Sequence, residues 1–300
     1  MWSRTAITVL IQKKMSVTDG SAATCYNGAV IPWNPISSSL KRQKRMKHLI
    51  NIVALILLWL LPQVGKAQQY TGISGLAHVP SAEMNHEGDA FIGAHFLNKY
   101  MMPDTGFLYE GEKYHTFDYY VALTPFSWLE MSYVCTERIY RKDAQGNIVN
   151  WSKDRYASVK IRPLKEGKYY PAVAIGCNDI ATSGFNPDAS NVQLYFQNWY
   201  IAATKHFEFS GNELGLTLAY RHYYRGYNAK WNGVVGGITF RPAFFPQARL
   251  MAEYTGNEFL LGMDMLLWQH LRLQASVKDF KHVNAGLCLQ FNLLGKKYSY

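Results

Sequence analysis

From Leu271 to Leu294 apolar and polar side chains alternate almost without a slip. Leu271, Leu273, Ala275 and Val277 take one parity against Arg272, Gln274, Ser276 and Lys278. After a short break, Val283, Ala285, Leu287, Leu289, Phe291 and Leu293 repeat the scheme against Asn284, Gly286, Gln290 and Asn292. A period of two over that length predicts β-strands with one apolar and one polar face. The same division recurs in Leu214, Leu216, Leu218 and Tyr220 against Thr217, Ala219 and Arg221, and in Ala157, Val159 and Ile161 against Ser158, Lys160 and Arg162.

Extended along the chain, the pattern predicts twelve strands: 89–97, 113–123, 127–138, 154–163, 170–179, 191–203, 213–224, 233–241, 249–255, 258–267, 271–279 and 282–293. They are separated by Gly, Pro, Asn and Asp clusters, and from residue 68 onward no amphipathic helix of three turns is evident. Long and short connections alternate through the first half: 98–112 is long, TPF at 124–126 is short, and IYRKDAQGNIVNWSKD is long again. Transmembrane barrels follow this rule, with tight turns on the periplasmic side and longer loops outside. KHFEFSGNE is long for a turn, and TGN is short for an external loop.

An exported β-rich chain could hide its apolar parity between two sheets or turn it toward lipid. The opposite parity mixes small residues with charges, as a wet or hydrogen-bonded lumen would. Tyr169, Tyr170, Trp199, Tyr200, Tyr223, Tyr224, Trp231 and Trp268 lie near the predicted strand ends, where a bilayer interface would hold aromatic rings. The expected fold is therefore all-β: an antiparallel transmembrane β-barrel of about twelve strands.

The net charge of +10 changes this picture little. Nine of the 31 Lys and Arg precede residue 68, where Asp19 is the single acid, leaving 22 basic and 20 acidic side chains in the remainder. That near-neutral balance removes the main support for a nucleic-acid partner. The early charge belongs to a basic stretch, Lys41 to Lys47, followed by the apolar run Leu49–Leu61, Pro62 and the triplet Gly65, Lys66, Ala67. This order of charged, apolar and small regions predicts a secretory signal peptide over 46–67, cleaved near Ala67. A permanent membrane helix is the alternative, although the run falls short of the roughly 20 residues that a span needs. Residues 1–45 read as a non-native or disordered extension, with Met46 as the start, and 68–300 as the barrel. The address that follows is the outer membrane of a Gram-negative bacterium, with its lipid as the first partner.

Cys135, Cys177 and Cys288 remain after the leader, an odd number that forms no closed disulfide framework. Neither a CxxC nor a His-x-x-x-His spacing accompanies them, so no metal and no cofactor is expected. His95, His115, His206, His222, His270 and His282 are scattered, as are Ser132, Ser158, Ser210 and Ser276, without a Gly-x-Ser-x-Gly elbow. No catalytic residue is assigned, and the expectation is a non-enzymatic protein.

Charges within the strands are the candidate site. Glu130, Lys160, Arg162, Arg221, Arg241, Arg249, Glu253 and Arg272 take the polar parity. Toward lipid, a midplane Arg or Lys would cost about 2–4 kcal/mol, so they are expected to face inward. There they either contact a hydroxyl-rich or acidic solute such as a glycan, or form salt bridges that stiffen a narrow wall. The stretch NDIATSGFNPDAS, with Asn178 and Asp179, reads as loop chemistry and not as a calcium site.

Several segments resemble a known family: TGISGLAHVPSAEMNHEGDAFIGAHF (71–96), TPFSWLEMSYVCTER (124–138), SVKIRPLKEGKYYPAVAIGCNDIATSGF (158–185) and LMAEYTGNEFLLGMDM (250–265). They are similar to the YjbH group of outer-membrane proteins linked to exopolysaccharide biosynthesis, over roughly 71–294. Matching positions are Gly75, Leu76, Pro80, Ser81, Ala82, Glu130, Lys160, Pro171, Gly176, Asp179 and Glu253. The resemblance implies a role in making, exporting or modifying surface polysaccharide, with polysaccharide and exopolysaccharide-assembly proteins as partners. This chain is much shorter than the larger members, which join the barrel to further β-rich periplasmic segments. A general porin-like channel is the alternative function, and a lipid- or glycan-modifying barrel enzyme a further one.

Overall fold

The computed structural model describes residues 67–103, 108–182 and 194–295, together with one two-residue antiparallel pair, Cys25–Tyr26 with Ala29–Val30. The chain divides into two units, Met1–Trp59 and Leu60–Tyr300. The expected extension and leader lie outside the described residues, apart from that pair and Ala67.

Twelve strands form the second unit's wall: β1 (Asp89–Leu97), β2 (Thr116–Phe126), β3 (Leu129–Lys142), β4 (Ile148–Leu164), β5 (Ala172–Thr182), β6 (Asn198–Phe209), β7 (Asn212–Tyr223), β8 (Gly233–Arg241), β9 (Ala248–Tyr254), β10 (Phe259–Leu267), β11 (Leu271–Lys278) and β12 (His282–Asn292). Each pairs antiparallel with its sequence neighbours, and β12 closes on β1 through Ala285↔Phe96 to Asn292↔Asp89. Closure leaves the wall without an unpaired edge. No helix among the described residues is long and apolar enough to cross a membrane.

The alternation decides which way each side chain points. On β7, Leu216, Leu218 and Tyr220 are exposed, while Thr217, Ala219 and Arg221 are buried. On β12, Val283, Leu287, Leu289 and Phe291 face outward, and Cys288 and Gln290 face the interior. The greasy parity therefore covers the exterior, as a barrel in lipid requires. Leu218, 63% exposed midway along β7, gives a direct check. Leu218→Arg is expected to lower folding stability in lipid vesicles by about 2–4 kcal/mol. A neutral result in a urea titration would contradict an outward face in hydrocarbon.

The end carrying Asp89 and Asn292, here the terminal end, holds the connections 127–128, 165–171, 210–211, 242–247 and 268–270. The opposite, loop end holds 98–115, 143–147, 183–197, 224–232, 255–258 and 279–281. KHFEFSGNE is not a long turn. β6 and β7 run to within two residues of each other, and Ser210 and Gly211 take φ of 49° and 76°, the double left-handed geometry of a tight hairpin. The sixth strand accordingly lies at 198–209 instead of 191–203. Phe196, which mimics strand periodicity, packs inside against Tyr70 and Tyr156.

The aromatic girdle is smaller than the sequence suggests. Tyr169, Tyr170, Trp199, Tyr224 and Trp268 are exposed, but Tyr200, Tyr223 and Trp231 are buried. Adjacent strand residues point to opposite faces, so Trp199 and Tyr200, or Tyr223 and Tyr224, cannot both reach lipid. The inward rings lie over small residues: Tyr120 covers Gly93, and a Cβ at Gly176 would fall 2.2 Å from the Tyr200 hydroxyl.

Residues 67–85 belong to the interior. Ile73, Leu76, His78, Val79, Ser81 and Ala82 are all at most 2% exposed. The segment is compacted by its own turns, with Gly72 N donating to Gln69 O and Leu76 N to Val79 O. It packs Leu76 and Val79 against Tyr200, Ala219, Val235 and Met251 of the wall. Leu76 Cδ2 lies 2.4 Å from where a Gly237 Cβ would stand, so the wall must be bare there for the segment to fit. The wall thus begins at Asp89, and the preceding stretch fills the bore.

Candidate functional site: the clamped lumen and its charged mouth

A backbone threaded through a barrel needs partners for its N–H and C=O groups, because no ladder supplies them. The inward charges of the wall provide them. Glu130 and Lys160 are cross-strand partners on β3 and β4, which puts both on the lumenal face at one level. Their charged groups lie 3.0 Å apart and are buried. The Glu130 carboxylate accepts from Ser74 N at 3.0 Å, Asn85 N at 2.6 Å and the Ser74 hydroxyl. The Lys160 ammonium donates to Ser74 O and Glu83 O. One ion pair therefore grips two separated points of the segment.

Glu253 on β9 makes the second grip. Its carboxylate accepts three successive backbone N–H groups, Ala77 at 2.8 Å, His78 at 2.9 Å and Val79 at 2.8 Å. Consecutive amides converging on one anion form a concavity of partial positive charge. Arg221 of β7 supplies the complement, donating to the carbonyls of His78, Thr255 and Trp231. Arg249 makes the third grip, with Nη1 2.9 Å and 3.0 Å from the two Glu83 oxygens and Nε 2.9 Å from Asp264. Smaller contacts join these: Ser132 donates to Thr71 O, and Thr204 accepts from Ala82 N.

The remaining candidates fall elsewhere. Arg272 is buried and donates to Gln290 at 2.7 Å, a contact within the wall. Arg162 is partly exposed at the terminal rim, where it donates to Ser127 O and ties down the β2–β3 turn. Arg241 lies at the terminal mouth, 3.3 Å from Glu213. Asn178 and Asp179 are not in a loop: both lie in β5 and both are buried. Asp179 takes a φ of 55°, which breaks the alternation and turns two consecutive side chains inward. Asn178 then donates to Asn198, and Asp179 accepts from Phe196 N. Asn186 and Asp188 of the same stretch, and Asn191 just after it, lie outside the described residues.

Sequence reading missed the other half of this constellation: Ser74, Ala77–Val79, Glu83 and Asn85 in the segment, and Glu166, His206, Glu213 and Asp264 around it. The usable signal was negative, since 68–88 is ordered by small residues, Gly and Pro without alternating at all.

At the mouth, His206 Nδ1 lies 2.7 Å from Glu166 and Nε2 3.2 Å from Glu83, while Lys205 reaches Glu166 at 2.6 Å. Burial opposes ionisation of Glu166, which sits in the β4–β5 turn. Hydrogen bonds from His206 and Lys205 outweigh that and hold its carboxyl below the usual carboxylate range. A folded value below the unfolded one, about 4.3, contributes stability above that pH, and the contribution is lost as pH falls through the folded value. Thermal unfolding followed from about pH 6 to pH 3 is expected to show an acid-dependent loss that Glu166→Gln reduces. Superimposable profiles would dismiss the ion pair as a contributor. Among the described residues, no group of three His, Cys, Asp or Glu is placed to hold a metal ion.

The family model YjbH, exopolysaccharide biosynthesis protein YbjH, matches residues 67–293. The chain belongs to this family. The matched span runs from the first described lumenal residue past the end of β12, so the filling segment is as much part of the family unit as the wall. Among solved structures the chain is similar to outer membrane phospholipase A from Escherichia coli, at 12% identity and a TM-score of 0.31, covering 69% of this chain and 97% of that one. It is also similar to a Salmonella typhi outer membrane phospholipase dimer with bound calcium, at 12% identity and a TM-score of 0.34, covering 70% and 92%. At that level the likeness carries no argument about chemistry. No curated protein matches.

Proposed function

We propose that this protein is a closed, non-enzymatic outer-membrane component of exopolysaccharide secretion or surface assembly, with its terminal end toward the periplasm. The family supports the polysaccharide link, the apolar exterior supports the membrane, and the short turns at the terminal end support the orientation. The observation that carries the closed state is the clamping of residues 74–85 by Glu130, Lys160, Glu253, Arg221 and Arg249. Charges that would otherwise line a glycan path hold the protein's own backbone instead. His95 is likewise committed, its Nδ1 3.0 Å from Asp118 and its ring stacked on Tyr120 inside the lumen. That favours a structural role over catalysis.

Two measurements test the reading. Reconstituted in planar bilayers without partners, the full chain is expected to give no steady conductance; a persistent open level would establish the porin-like alternative. Deleting the gene is expected to lower cell-surface polysaccharide, and unchanged polysaccharide would remove the proposed role.

A further inference from the structure

The lumenal charges divide by reach. Glu130 and Glu253 are closed over by the segment, but a second set opens to solvent around a cleft of about 720 Å³ at the terminal mouth. Its floor is Glu83, the segment residue held by Arg249. One side is Glu166 with Lys205 and His206, and the other is Glu213 with Arg241. Lys168 and Glu208 complete the rim.

The chemistry of this lining is selective. Every lining side chain is titratable or charged and none is a wholly apolar residue, which disfavours an acyl chain or a hydrophobic peptide. The charges also balance. Both ring nitrogens of His206 face carboxylates, which only the doubly protonated imidazole can satisfy as donor to both; in that form His206 joins Lys168, Lys205 and Arg241 against four glutamates. A polyanion would meet carboxylates at every second contact, and a polycation would meet ammonium and guanidinium groups. A hydroxyl avoids both conflicts, because it donates to a carboxylate and accepts from a neighbouring ammonium at once, without adding charge. Glu83, Glu166, Lys205, His206, Glu213 and Arg241 are paired and at least partly buried, which fixes them in place, so a ligand with many hydroxyls meets ordered donors and acceptors. The volume is in the roughly 300–1,000 Å³ range of small-ligand clefts, enough for a short stretch of sugar chain and too small for a folded domain.

We propose that this cleft binds an uncharged, hydroxyl-rich glycan segment presented at the terminal end of the barrel. The inference rests on the polysaccharide role proposed above and adds to it a place and a ligand class. It also gives the glycan a route to the lumenal segment, since Glu83 is at once the floor of the cleft and the anchor of Arg249.

Detergent-solubilised full-length protein titrated calorimetrically with maltohexaose, cellohexaose, chitopentaose, a hexameric polygalacturonate and a glucosamine hexamer tests it. At least one of the three neutral oligomers is expected to bind, with the uronate and the glucosamine oligomer about tenfold weaker or worse. Glu213→Gln and Lys205→Met are each expected to raise the Kd for the neutral oligomer about tenfold while keeping the heat-modifiable migration of a folded barrel. Absence of binding by all three neutral oligomers, preference for a charged one, or affinity indifferent to both substitutions overturns the proposal. The two readings fail separately. A deletion strain whose polysaccharide is fully restored by a protein carrying both substitutions refutes the cleft and leaves the role, whereas a deletion without a polysaccharide defect refutes the role.

Discussion

Replacing Lys160 by Met is expected to destabilise the folded barrel by about 3–5 kcal/mol, the usual consequence of removing one partner of a buried ion pair. Lys160 is wholly buried, and its ammonium lies 3.0 Å from Glu130 while donating to two carbonyls of the lumenal segment. Met retains much of the stem's packing, so the loss isolates the charge. Glu130 would keep the Ser74 and Asn85 amides as donors but would lack a countercharge, and the Ser74 and Glu83 carbonyls would each lose a donor. The double variant Glu130→Gln/Lys160→Met should cost clearly less than the two single changes together, because each single change leaves an uncompensated charge and the double variant leaves none. Urea titration of the heat-modifiable band reads all three. A single-variant loss below about 1 kcal/mol, or strict additivity in the cycle, would mean that the pair does not clamp the segment.

Deleting residues 68–86 is expected to convert a silent barrel into one with steady conductance. The wall closes through its own ladder from β1 to β12 and borrows no strand from the segment, so the barrel is expected to form without it. Arg249 keeps Asp264 and Glu130 keeps Lys160, while Glu253 exchanges its three amide donors for water in a wet bore. Loss of Ile73, Leu76 and Val79 from the interior will lower stability, since each is buried against the wall and contributes on the order of 1.5–3 kcal/mol. Should the deletion variant fail to give a heat-modifiable band, Glu130→Gln with Glu253→Gln provides the second measurement: it weakens two grips while leaving the segment, and is expected to produce intermittent openings. A folded deletion variant that stays silent would show that the segment is not what closes the bore.

Both experiments probe a feature that period-two alternation could not reveal. The twelve strands, the outward face of Leu216, Leu218, Leu287 and Leu289, and the inward placement of Glu130, Lys160, Arg221, Arg249 and Glu253 are all written in parity. The β6 boundaries differ from the sequence pattern because Lys205, His206 and Glu208 interrupt the alternation at the terminal end, where the strand leaves the apolar zone. Phe196 supplied a false continuation on the other side, apolar because it packs on Tyr70 rather than because it belongs to the sheet. Asp179 escaped for a related reason: a single left-handed residue shifts the inward parity, and nothing in the neighbouring composition announces it.

The wall, then, is a property of local sequence, because a strand in a barrel meets lipid on one face and protein on the other, and each residue's face follows from its neighbours. What fills the bore is not local. Residues 67–85 carry no period, and their hydrogen-bond partners in the wall lie from 45 to 176 positions away, as with Asn85 to Glu130 and Ala77 to Glu253. Only closure of the ladder brings those charges around one lumen, and only then does a stretch of glycines, a proline and small residues find amide and carbonyl partners for a backbone that has no sheet to join. The cleft at the mouth is decided in the same way, by a floor residue from the segment and walls from three separate strands and a turn.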